Sequence, residues 1–215
     1  MYKRASIIIT VILLIAGMVN SQQINNQQLD SLKIIKPGAT LIQVSNQFKF
    51  TEGPAVDKKG NIYFTDQPND KIWKYDVDGK LSVFMDKTGR SNGLYFDKKG
   101  RLIACADEEN QLWEITAKRK VKIILNEFEG QKLNGPNDLW IDKKGGIYYT
   151  DPYYQRDYWT RKKPCIKSQN VYYLAKGNTK AVIADSLLMQ PNGIVGMPDG
   201  TSLFVADIRA NKTYK

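Results

Sequence analysis

The chain has 215 residues, 42% apolar and 25% charged, a globular balance that excludes a disordered or low-complexity polymer. Its 32 basic and 22 acidic residues give a net charge of +10, and histidine is absent, which removes the side chain most used as general base or zinc ligand near neutral pH. Two cysteines, Cys105 and Cys165, are too few for a disulfide framework; export would permit one bridge between them, but a buried free Cys105 is the commoner outcome.

Taken from the start, Lys3 and Arg4 precede an apolar run from Ala5 to Val19, after which the residues become small and polar. That is the layout of a secretory leader with a cut after Ser21, although an uncleaved anchor would leave the same domain on the outer face of the membrane. The run is short for a bilayer span. The sequence therefore predicts a signal peptide over 1–21, a polar lead-in with a possible closing strand over 22–47, and one folded domain over 48–215. A secreted or periplasmic protein follows, with no membrane contact after cleavage. The basic residues gather in turns such as Asp57-Lys58-Lys59-Gly60 and in Arg161-Lys162-Lys163, which read as solvated loops and not as a nucleic-acid stripe.

From residue 52 onward one unit recurs four times. Its copies begin Glu52-Gly53-Pro54-Ala55-Val56-Asp57, Asn92-Gly93-Leu94-Tyr95-Phe96-Asp97, Asn137-Asp138-Leu139-Trp140-Ile141-Asp142 and Asn192-Gly193-Ile194-Val195-Gly196-Met197. The turn glycines Gly60, Gly100, Gly145 and Gly200 lie 40, 45 and 55 residues apart, the period of a propeller blade. Each copy reads as a strand, a tight Gly turn and a second strand such as Ile62–Asp66 or Ile147–Asp151, and the earlier copies continue into third and fourth strands, as at 71–75 and 81–85. Four antiparallel strands per repeat make a blade, so the predicted class is all-β. Residues 152–169, rich in Tyr, Arg and Lys, read as an insertion on the rim of a site. Asn211–Lys215 matches the opening of a third strand, so the propeller is expected to be truncated after about four blades, with roughly two more in a six-bladed parent.

Eight residues before each turn glycine stands an oxygen-bearing side chain: Glu52, Asn92, Asn137 and Asn192. Equivalent positions on the innermost strands converge at one mouth of the central channel. One carboxylate with several carboxamides, and neither sulfur nor imidazole, suits a hard cation, and calcium best of all. The plain alternative is that Asn-Gly and Glu-Gly only make the turns that start each blade. Asn92 is divided between substrate contact and turn structure, and Asp138 between a carboxylate backing the site and simple strand-end solvation. The strand-end aspartates Asp66, Asp107, Asp151 and Asp207 are expected to bond local backbone amides. Trp73, Trp113, Trp140, Tyr63 and Tyr148 read as packing between blades. Tyr153, Tyr154, Tyr158 and Trp159 form either an aromatic wall over a sugar ring or an ordinary structured loop.

The segments Thr51-Glu52-Gly53-Pro54, Gly135-Pro136-Asn137-Asp138, Tyr149-Thr150-Asp151-Pro152 and Gln190-Pro191-Asn192-Gly193 resemble the gluconolactonase and senescence-marker-protein family, the regucalcin-like lactonases, from about Phe48 to the last residue. The resemblance implies a six-bladed propeller that holds one divalent ion, Ca2+ or another, and opens small-molecule sugar lactones. It carries the metal ligands onto Glu52, Asn137 and Asn192, with Asn137 a ligand or a substrate contact. The family's catalytic Asp falls beyond Lys215, which leaves the catalytic residue unassigned within the chain and Asp138 as a backing carboxylate. Two further readings stay open: a phosphotriesterase-like hydrolase similar to diisopropyl fluorophosphatase, and a non-catalytic binding platform.

Overall fold

A computed structural model describes residues 36–215, so the expected signal peptide and the first part of the expected lead-in lie outside the described residues. The chain up to Asn46 is a unit separate from 47–215, and its described part, 36–46, holds a turn closed by Ala39 N donating to Lys36 O at 2.9 Å, with no strand.

In the second unit the β-branched and aromatic runs form strands, and the polar Gly turns reverse them. The first blade is a four-stranded antiparallel sheet of β1 (Thr51–Val56), β2 (Ile62–Asp66), β3 (Lys71–Tyr75) and β4 (Leu81–Asp86), hydrogen-bonded in that order. The second is built likewise from β5 (Ser91–Phe96), β6 (Leu102–Ala106), β7 (Gln111–Ile115) and β8 (Val121–Leu125). A short hairpin, β9 (Glu127–Phe128) with β10 (Gln131–Lys132), leads to the third blade of β11 (Leu139–Ile141), β12 (Ile147–Asp151), β13 (Asn170–Leu174) and β14 (Val182–Asp185). The fourth comprises β15 (Pro191–Gly196), β16 (Leu203–Asp207) and β17 (Lys212–Tyr214). This is the all-β propeller arrangement that the repeat predicts, three complete blades and a three-stranded fourth. The first strand of each blade packs against the first strand of the next, β1 on β5, β5 on β11 and β11 on β15, which makes these the innermost strands.

The apolar clusters lie between blades, as befits sheets that bury both faces. Ala55, Tyr63, Ile72 and Met85 of the first blade meet Leu94, Leu102, Ala104 and Ile115 of the second, and Tyr63 packs edge-on against Phe84 and Phe96. A larger cluster joins Ile103, Cys105, Leu112 and Leu125 to Leu139, Ile147, Tyr149 and Tyr172. Each fully buried Leu or Ile here contributes about 1.5–3 kcal/mol. Cys105 is buried and free, and Cys165 is also free. Among the described residues no helix is long and apolar enough to cross a membrane.

The repeated Asp-Lys-Lys-Gly turns do more than face solvent. The aspartate organises its own turn: Asp57 Oδ1 accepts Lys59 N at 2.8 Å and Asn61 N at 3.0 Å, and Asp97 and Asp142 repeat the pattern. The first lysine reaches the next blade's turn, Lys58 Nζ donating to Lys98 O at 2.5 Å, Lys98 Nζ to Lys143 O at 2.7 Å and Lys143 Nζ to Asp199 O at 3.0 Å. Part of the basic excess is therefore spent as a ladder between blades.

Candidate functional site

The four residues singled out by the repeat sit together at one end of the innermost strands. In three of these strands the pairing register slips at the candidate position: between Glu52 and Ala55, between Ser91 and Leu94, and between Pro191 and Ile194. Each slip places one extra residue opposite the second strand, a bulge that bends the strand and re-aims its side chains. The glycine after Glu52, Asn92 and Asn192 belongs to that bulge. At Gly93 a Cβ would fall 2.6 Å from Asp138 Cα and 2.7 Å from Asn137 O, so neighbouring inner strands approach there closer than any side chain allows.

Backbone bonds then tie the four positions together in blade order. The Thr65 hydroxyl lies 3.1 Å from Glu52 O and 3.0 Å from Asn92 O, joining the first blade to the second. Gly93 N donates to Asn137 O at 2.7 Å, joining second to third. The Thr150 hydroxyl donates to Asn192 O at 2.6 Å and accepts Asp138 N at 3.2 Å, joining third to fourth. Glu52, Asn92, Asn137 and Asn192 are thus brought side by side. Asn92 and Asn137 are buried, while Glu52 and Asn192 are partly exposed. The two threonine staples were not legible as such, because the second and fourth repeats carry alanine, Ala106 and Ala206, at the equivalent place.

Asp138 occupies the position that is glycine in the other three repeats. Its Oδ1 accepts Leu139 N at 2.9 Å and its Oδ2 accepts Ile194 N at 3.0 Å, so the carboxylate holds the inner strand of the fourth blade against the third. It keeps some contact with solvent, yet protein surrounds it on most sides. Burial raises its pKa to about 6, the Ile194 and Leu139 amides hold it down, and the charge of Glu52 pushes it up further.

The strand-end aspartates follow the expected pattern in three cases. Asp66 accepts Lys49 N and Phe50 N at 3.1 and 3.2 Å, Asp151 accepts Asn134 N and Gly135 N at 2.8 Å each, and Asp207 accepts Met189 N and Gln190 N at 2.7 and 3.0 Å. Each pair lies three and two residues ahead of Glu52, Asn137 or Asn192, so these clamps fix the approach to the site. Asp107 corrects the expectation. For the second blade the clamp comes from Asp70 of the first, between β2 and β3, which accepts Thr88 N and Arg90 N at 2.8 Å each, and Asp107 is released to bind side chains. It accepts Gln67 Nε2 at 3.0 Å, Arg156 Nε at 2.9 Å and Tyr158 OH at 2.5 Å.

Arg156 and Tyr158 belong to the insertion over residues 152–169, which contains no strand. Trp159 is buried, donates Nε1 to Glu108 O at 3.1 Å and carries the Arg161 guanidinium 3.9 Å above its ring. Tyr158 is committed to Asp107 and carries Arg90 at 4.6 Å. These two rings hold the loop in place and do not form a free aromatic wall. Tyr154 differs, since its hydroxyl accepts Asn192 Nδ2 at 3.0 Å.

Among the described residues no three His, Cys, Asp or Glu side chains cluster as a metal group. A cation at this mouth would rest on the Glu52 carboxylate and the Asn137 and Asn192 carboxamides. That oxygen-only set matches a hard ion of flexible coordination. Cys105 is no competing nucleophile, because complete burial and then the charges of Asp138, Asp151 and Asp107 push its thiol well above the ordinary range.

Residues 50–215 match the family model described as SMP-30/Gluconolactonase/LRE-like region. The gluconolactonase of Zymomonas mobilis is 24% identical over 179 residues, which cover 76% of this chain and 50% of the relative. A solved gluconolactonase from Xanthomonas campestris superposes with a TM-score of 0.73 at 25% identity, over 77% of this chain and 57% of its own. Another solved chain, provisionally named a gluconolactonase, gives a TM-score of 0.78 at 28% identity over 86% and 64%. The chain thus spans about half of the curated relative and less than two thirds of either solved chain. With residues 50–215 matched end to end, the chain belongs to the SMP-30/gluconolactonase/LRE-like family.

Proposed function

We propose that the protein is a divalent-metal-dependent hydrolase that opens small-molecule lactones, with its site at the channel mouth where Glu52, Asn137 and Asn192 meet. The observation that supports this reading is the run of staples from Thr65, Gly93 and Thr150, which ties the backbones of four successive inner strands together, those of Glu52, Asn92, Asn137 and Asn192 in that order. Membership of a family with gluconolactonase relatives supports the reaction class.

Glu52, Asn137 and Asn192 would hold the ion, most suitably calcium, and a bound divalent cation supplies Lewis-acid polarisation of the ester carbonyl. The chain's own residues prepare that place. The clamps from Asp66, Asp151 and Asp207 fix the approach of each donor strand, and Asp138 keeps the strands bearing Asn137 and Asn192 in register. Both Asp138 oxygens already accept backbone amides, so Asp138 backs the site. The water-activating base is assigned to an aspartate outside the residues of this chain. Asn92, buried one blade along, is a substrate contact. The same reading places a leader over 1–21, a lead-in over 22–47 and the propeller over 48–215 in a secreted or periplasmic protein.

Calcium titration of the complete protein, with turnover of glucono-δ-lactone and of a phosphotriester, tests it. The reading expects calcium binding, lactone turnover and loss of both on Glu52→Gln. Turnover of the phosphotriester alone would move the substrate class, and absence of both calcium binding and turnover would leave a binding platform.

A further inference from the structure

The insertion over 152–169 is bolted to the second and fourth blades, and the bolts flank one unassigned side chain. On the second blade it is held by Asp107, through Arg156 Nε at 2.9 Å and Tyr158 OH at 2.5 Å, and by Glu108 O, through Trp159 Nε1 at 3.1 Å. Gln67 of the first blade donates Nε2 to the same Asp107 oxygen at 3.0 Å. On the fourth blade Gln190 Nε2 donates to Tyr153 O at 3.1 Å, and Gln169, which receives Tyr153 N at 2.7 Å, donates to Met189 O at 2.9 Å. Between these anchors stands Tyr154. The Arg156 guanidinium lies 5.3 Å from its ring centre, and its hydroxyl accepts Asn192 Nδ2 at 3.0 Å.

We propose that Tyr154 is a positioning residue for Asn192, selecting which edge of that carboxamide is offered to a cation or substrate at the channel mouth. This rests on the metal-dependent reading above. A free asparagine turns its amide either way at little cost, and the wrong orientation offers a cation an NH2 group where an oxygen is needed. With Nδ2 engaged by Tyr154, the planar group presents Oδ1 on its other edge. The departure of Asp107 from the clamp pattern is then accounted for: its carboxylate, freed by Asp70, anchors the arginine stacked on Tyr154. Partners that orient a ligand from behind typically change metal affinity by about 10- to 100-fold when removed.

The test is calcium titration of the complete protein in four forms: native, Tyr154→Phe, Asn192→Asp and the double variant. Tyr154→Phe is expected to weaken calcium binding by about 10-fold or more with an unchanged unfolding midpoint. In the Asn192→Asp background, where both edges of the side chain are oxygen, Tyr154→Phe is expected to change affinity less than about twofold. Equal affinity of native and Tyr154→Phe protein overturns the inference, as does an equal loss in both backgrounds, which marks packing alone. If Asn192→Asp does not bind the ion, the Tyr154→Phe result decides by itself. Native protein that binds no calcium overturns the functional reading, and the inference with it; native binding with Tyr154→Phe unaffected overturns the inference only.

Discussion

Thr65 and Thr150 each sit one residue before a strand-end aspartate, and each hydroxyl serves the backbone of two adjacent blades. Thr150→Val keeps the shape and leaves Asn192 O without its 2.6 Å donor, which should cost about 1–3 kcal/mol in urea unfolding. An unchanged midpoint would mean that the staple contributes nothing. Glycines make a sharper contrast. An alanine methyl at Gly93 would press on backbone at 2.6 and 2.7 Å, whereas at Gly193 the nearest atom is Asp138 Oδ2 at 3.9 Å. Gly93→Ala should destabilise by roughly 1–3 kcal/mol or more, and Gly193→Ala by less than about 1 kcal/mol, by the same measurement. Equal effects would deny the close approach of the inner strands. The glycines were readable in the sequence because they follow three of the four candidate residues, Glu52, Asn92 and Asn192; the threonines were not, because only two of four repeats carry them.

The strands themselves were legible, since four copies of one pattern state the same hairpin independently and the tertiary structure has no reason to override it. Residues 152–169 were legible as a loop by their length and composition alone. What could not be read is where that loop is fastened. Asp107 looks identical to Asp66, Asp151 and Asp207 in its repeat, and only the geometry reveals that Asp70 has replaced it as the clamp. Removing the anchor should free the loop before it unfolds the propeller. Asp107→Ala is expected to speed tryptic cleavage after Arg156, Arg161 and Lys162 severalfold at temperatures where the blades stay intact. Cleavage at the native rate would mean that the aromatic and arginine stacking holds the insertion unaided.

Across the whole molecule, burial places acidic groups where solvent cannot serve them. Asp151 is fully buried, and despite the Asn134 and Gly135 amides and the charge of Arg161, its pKa is pushed from 3.8 to about 7. Folded protein therefore holds this proton more tightly than unfolded chain, so the contribution is fully present below about pH 4 and is lost as pH rises through 7. The full span is on the order of 4 kcal/mol. Asp151→Asn, which cannot ionise, should gain on the native protein in urea midpoint between pH 5 and 8, and a constant gap would contradict the assignment. Every one of these effects surrounds a single claim, that successive blades aim oxygen at one point. The direct measurement is anomalous diffraction from crystals of the complete protein grown with a divalent cation. The account predicts one strong peak about 2.3–2.6 Å from side-chain oxygens of Glu52, Asn137 and Asn192 if calcium is bound. Glu52, Asn137 and Asn192 side chains turned apart, with the cation bound elsewhere or nowhere, would contradict it.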